Sequence, residues 1–124
     1  YVCAPTPLQH GVAAGIRALG PSFYSDLIKE HQQKRDRFCG ALSKAGLPPA
    51  VPQGAYYVLA DMSRLPGKTS RERALYLLDK TGVAGVPGEA FFDGPEGSRF
   101  MRFCMAKTDQ DLERASQAIE RFTS

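Results

Sequence analysis

Arg102 is the side chain in this sequence best placed to do chemistry, because of the residues around it. It sits within Arg99-Phe100-Met101-Arg102-Phe103-Cys104-Met105-Ala106. The aromatic and apolar content of that stretch predicts a β-strand, and the polar capping residue Thr108 follows shortly after it. Alternation along a strand puts Phe100, Arg102 and Cys104 on one face and Met101, Phe103 and Met105 on the other. A guanidinium is always charged and carries five N–H donors, so burying it without an anion is strongly unfavourable. Two readings meet that demand. In one, Arg102 forms a structural ion pair with Asp61 or Glu89. In the other, a carboxylate arrives from solvent and is held by the bidentate geometry that arginine suits better than lysine.

Other chemistry is hard to find. The two histidines and three cysteines stand at no familiar metal-ligand spacing. Gly85-Val86-Pro87-Gly88 lacks both the glycine spacing and the lysine of a phosphate loop. No nucleophile lies beside a candidate base, His10 has no partner near it in sequence, and His31 falls on a packed helical stripe. Cys3, Cys39 and Cys104 read as small core hydrophobes in a reducing, cytoplasmic compartment. A net charge of +3 with scattered basic residues argues against nucleic-acid binding. No apolar run approaches the length needed to span a bilayer. At 124 residues the chain fits one domain, and its start at Tyr1 suggests a piece of something longer.

The elements that must position Arg102 follow from punctuation and periodicity. Tyr1 to Ala4 is a short apolar start. Thr6-Pro7 predicts a capped helix entry, with the helix running through Leu19 to a stop at Gly20-Pro21. Gly11, Ala13, Ala14, Gly15 and Ala18 make that helix small-sided, as if to pack closely against a neighbour. A long helix opens at Ser22, carries Tyr24, Leu27, Ile28, His31, Arg35, Phe38, Leu42 and Ala45 on one face, and ends at Gly46. Ala55 to Ala60 reads as a central strand ending at Asp61. Thr69 and Glu72 have capping-box spacing for a helix with Leu75, Leu78 and Ala74 inward, closed by Gly82. Val83 to Val86 is a very short strand, the stretch from Asp93 to Ser98 reads as a flexible loop, and Thr108 caps a last helix with Leu112, Ala115, Ile119 and Phe122 inward. The result is an α+β fold, a small sheet of about three strands packed with helices.

Three segments, taken in order, resemble the C-terminal part of class I aminotransferases, the pyridoxal-phosphate enzymes of the aspartate-aminotransferase superfamily. They are Gly54-Ala55-Tyr56-Tyr57 leading to Asp61, then Gly82 through Phe91, then Met101-Arg102-Phe103-Cys104 followed by the helix from Thr108 to Phe122. The arginine followed by Phe-Cys, an apolar residue and Ala-Lys is similar to the branch containing kynurenine, methionine and broad-specificity aminotransferases. Tyr1 to Leu19 resembles the segment that follows the cofactor-lysine region.

The resemblance implies that Arg102 grips the substrate α-carboxylate. It also implies that the Schiff-base lysine, the cofactor's phosphate arginine and its ring-stacking aromatic lie upstream, so that pyridoxal 5'-phosphate is held mainly by residues outside this chain. Lys29, Lys34, Lys44, Lys68, Lys80 and Lys107 then read as surface charge. Residues 1–124 would be a small domain, with 1–20 a linking helix region, inactive alone. Its partners would be amino acid and 2-oxo acid substrates, the large domain of the same polypeptide and a second subunit of a homodimer. Pro87-Gly88 and Phe91-Phe92 would lie near the cleft. The alternative from a different class is a non-catalytic α+β domain that binds an amino acid or regulates.

Overall fold

The computed structural model describes residues 3–122. Of the apolar start, Tyr1 and Val2 lie outside the described residues. The chain divides into two compact units, residues 1–30 and residues 31–124.

In the first unit, α1 (Thr6–Ala18) is entered through Pro5 rather than through a threonine cap, with no side-chain hydrogen bond at its start. None of its residues is buried. Leu8, Val12 and Ile16, at helical spacing, are all exposed. Cys3 is likewise exposed, not a core residue. Helix α2 (Pro21–Lys44) contributes its N-terminal part to this unit and the remainder to the second.

The second unit holds the core. Along α2, Lys34, Phe38, Cys39, Ala41 and Leu42 are buried. Lys34, expected on the solvated side, sits four residues before Phe38 and so shares its stripe. Its aliphatic stem is covered while its ammonium reaches to 4.0 Å from the exposed Asp109 carboxylate. Gly46 closes the helix with φ +66°, and the Leu47 N–H bonds back to the Leu42 carbonyl at 2.9 Å.

The sheet has four strands, one more than the sequence suggested: β1 (Pro49–Ala50), β2 (Tyr57–Asp61), β3 (Val86–Pro87) and β4 (Phe100–Cys104), in the order β1-β2-β4-β3 and antiparallel throughout. β1 carries no strand signal in the sequence because it is two residues long and contains Pro49, which an edge strand tolerates. β2 starts two residues later than expected because Ala55 is held at φ +69°, outside the extended region. Val58, Ala60, Met101 and Phe103 from the central strands β2 and β4 point into the core, with Met105 just beyond. They meet Leu42, Leu77, Leu112 and Ile119, each fully buried. Each such side chain stabilises by about 1.5–3 kcal/mol.

Helix α3 (Ser70–Thr81) buries Ser70, Ala74 and Leu77, whereas Leu75 and Leu78 are exposed. The cluster Leu75-Tyr76-Leu77-Leu78 offers more than one helical stripe, and the one in register with Ala74 faces the core. The Thr69 hydroxyl accepts from the Glu72 N–H at 3.1 Å, and the Glu72 carboxylate accepts from the Lys68 N–H at 2.6 Å. Thr69→Ala is expected to lower stability by about 1 kcal/mol, read as a drop in the denaturation midpoint.

The stretch from Asp93 to Ser98 is not a floppy loop. Pro95–Arg99 forms a 3₁₀ turn packed on a second one, Gly88–Ala90, with Gly88 and Gly97 both buried. Helix α4 (Asp109–Arg121) is capped by Thr108 and buries Leu112 and Ile119, with Ala115 and Phe122 packed beside them.

Candidate functional site

The face of β2 and β4 opposite the core carries Tyr57, Leu59, Asp61, Phe100, Arg102 and Cys104, all partly or well exposed. The alternation expected around Arg102 is therefore observed. Register sets Arg102 between Leu59 of β2 and Val86 of β3, with Tyr57 one pleat away opposite Cys104.

The two proposed ion-pair partners of Arg102 are engaged elsewhere. Asp61 pairs with Arg99 at 2.6 Å and accepts from the Ser63 N–H at 2.8 Å. Glu89 accepts from the Ser70 N–H at 3.3 Å, while its own N–H donates to the Ser70 hydroxyl at 3.3 Å. Among the described residues, no carboxylate lies within ion-pair distance of Arg102.

Instead, the guanidinium lies between two aromatic rings. Its central carbon is 4.1 Å from the Tyr57 ring centroid and 4.1 Å from that of Phe91. Its Nε is buried and has no hydrogen-bond partner. Two aromatic rings pack against the cation, and the N–H donors of a planar guanidinium point outward in its own plane. An arginine with unused in-plane donors suits a planar oxyanion. Phe91, expected near the cleft, is in contact with Arg102. Tyr57 was missed as a site residue, although strand parity on β2 places it on the Arg102 face once β2 and β4 are paired.

A cleft of about 770 Å³ adjoins this arrangement, lined by Phe38, Tyr57, Val86, Arg102, Phe103 and Cys104 among others. Cys39 lies in the core, where burial pushes its thiol pKa up and makes it a poor nucleophile. Among the described residues no group of three or more histidines, cysteines or carboxylates could hold a metal ion. No helix there is long and apolar enough to cross a membrane.

Asp61 lies at the end of β2, on the same sheet face as Arg102. Burial alone would raise its carboxyl pKa, but hydrogen bonds from Ser63 and the charge of Arg99 outweigh burial and hold it below the ordinary value. A lowered folded-state pKa contributes stability that is fully present above the unfolded value, about 4, and is lost as pH falls through the folded value. Asp61→Asn should therefore flatten the acid limb of the stability profile. Denaturant melts between neutral pH and about pH 3 would check it.

The chain belongs to the aminotransferase class I and II family, whose profile matches residues 1–119. Kynurenine–oxoglutarate transaminase 3 of Rattus norvegicus is 30% identical over 142 residues, covering 100% of this chain and 31% of that protein. A solved structure from Escherichia coli, reported with a methionine aminotransferase function, superposes with a TM-score of 0.81 at 31% identity, over 94% of this chain and 30% of that one. N-succinyldiaminopimelate aminotransferase of Mycobacterium tuberculosis superposes with a TM-score of 0.82 at 27% identity, over 96% of this chain and 31% of that one. The chain spans about a third of the length of these relatives.

Proposed function

We propose that this chain is the C-terminal small domain of a pyridoxal-phosphate-dependent aminotransferase, residues 1–20 forming its linking helix region, and that Arg102 binds the α-carboxylate of the substrate. The observation that carries this reading is a guanidinium fixed between two rings, with no carboxylate of the described residues to neutralise it. Every free amino acid and every 2-oxo acid presents that carboxylate, so one arginine serves both halves of an amino-group transfer. Tyr57 and Phe91 each place a ring centroid 4.1 Å from the guanidinium carbon, and both rings attract the cation.

The lysines of this chain do not fit a cofactor seat. Lys107 lines the cleft but is exposed, and Lys34 is buried beside Asp109. Pyridoxal 5'-phosphate is thus assigned to residues of the parent polypeptide outside this chain, where its aldehyde supplies the carbonyl that takes up the amino group. The substrates are an amino acid and a 2-oxo acid, and the parent works as a cytoplasmic homodimer. This chain alone is inactive.

The test is a visible absorption titration of the full-length parent with pyridoxal phosphate and a panel of amino acids. Conversion of the aldehyde-type spectrum to the amine-type spectrum, with release of the matching 2-oxo acid, is expected. A parent that does not bind the cofactor, but whose 124-residue piece binds amino acids by calorimetry, would favour the non-catalytic binding domain.

A further inference from the structure

We infer that Tyr57 and Phe91 are positioning residues that set the plane of the Arg102 guanidinium, and through it the direction from which a carboxylate can be bound. The inference rests on the reading of Arg102 as the carboxylate clamp and adds two residues that act through it.

The two rings come from separate pieces of backbone. Tyr57 opens β2 and is paired across to Cys104, two residues beyond Arg102 on β4. Phe91 immediately follows the Gly88–Ala90 turn, which is tied to the start of α3 by the reciprocal Ser70–Glu89 hydrogen bonds. Each ring centroid lies 4.1 Å from the guanidinium carbon, so two aromatic rings from separate elements restrict where the cation can move. A flexible arginine would lose rotamer freedom when a ligand bound. One already clamped loses less, and its in-plane donors are presented as a matched pair. The rings also attract the cation directly.

Neither ring fills the core. Tyr57 is 36% exposed and Phe91 42% exposed, so their removal should disturb binding more than folding. That contrast makes the proposal testable in the full-length protein. Tyr57→Leu and Phe91→Leu are each expected to raise the KM for amino acid substrate roughly tenfold, the effect of losing one partly desolvated ring from a cation. They should leave kcat within about threefold and the melting temperature within a few degrees. The inhibition constant of an unreactive carboxylate should rise in parallel. Tyr57→Phe keeps the ring and should match the unaltered protein. In an Arg102→Lys background the leucine changes should lose most of their effect, because an ammonium has no plane to hold.

Unchanged KM and inhibition constants in both leucine variants would overturn the inference, provided Arg102→Ala weakens both. So would Tyr57→Phe being as damaging as Tyr57→Leu. If Arg102→Ala itself leaves carboxylate affinity unchanged, the clamp reading fails and takes this inference with it. The two leucine variants are read separately, so loss of folding in one leaves the other to decide.

Discussion

Arg102→Ala in the full-length protein is expected to lower kcat/KM for amino acid substrates by roughly 30-fold to several thousand-fold, the effect of about 2–5 kcal/mol for truncating one partner of a buried charged hydrogen-bonded pair. The same change should barely move stability. If Arg102 were a structural ion pair, removing it would strand a buried carboxylate and destabilise the fold. Here the carboxylates suggested as partners, Asp61 and Glu89, keep their own contacts with Arg99 and Ser70. What alanine removes instead is a cation whose buried Nε has no partner, and an unsatisfied buried donor is itself unfavourable. Arg102→Lys should fall between. The charge survives, but the planar pair of donors and the stacking between two rings do not. Steady-state kinetics beside thermal melts separate the two accounts: a variant that loses rate and keeps its melting temperature supports the clamp.

Gly88→Ala is expected to be the most disruptive small change in the domain, lowering stability by about 1–3 kcal/mol and weakening carboxylate binding as well. A methyl group at Gly88 would stand 2.6 Å from the Phe100 carbonyl oxygen and closer still to that of Gly97. Both neighbours are backbone, so neither can swing aside as a side chain would. Relief requires the Gly88–Ala90 turn to move away from the Pro95–Arg99 turn, and Phe91 moves with it, off one face of Arg102. Gly11→Ala gives the contrast. Nothing lies within 4 Å of its added carbon in the interior of α1, so it should stabilise the helix by up to about 1 kcal/mol. Denaturant unfolding of both variants, with KM measured for each, checks the pair.

The core was legible where burial follows a strict period. On β4 the alternation of Met101, Phe103 and Met105 against Phe100, Arg102 and Cys104 is what the strand pattern implies. Phe38 and Leu42 on α2, and Leu112 and Ile119 on α4, are buried as their spacing requires. Period fails where apolar residues crowd. Leu75, Leu77 and Leu78 cannot all face inward, and only packing against the sheet selects Leu77. It also fails at Lys34, whose charged tip hides a stem long enough to line the core.

The site was half legible for the same kind of reason. An arginine between apolar residues is visible in one strand, because the anomaly is local. The absence of its partner is not, because Asp61 and Glu89 are drawn away by contacts to Arg99 and Ser70, distant in sequence, that no local pattern encodes. The aromatic sandwich was further out of reach. Phe91 and Tyr57 meet Arg102 only through the pairing of β2 with β4 and the close approach of two glycine-bearing turns. The apparent flexibility of Asp93 to Ser98 misled in the same way: glycine and proline there serve tight packing rather than mobility.

The central claim is that Arg102 binds a carboxylate, and the most direct measurement compares ligands that differ only in that group. In the full-length protein and in Arg102→Ala, the affinity for an amino acid would be set against that for the corresponding amine lacking the carboxylate. The account predicts that the unaltered protein prefers the amino acid by roughly 30-fold or more, and that Arg102→Ala abolishes the preference while binding the amine as before. An equal preference in both proteins would contradict it.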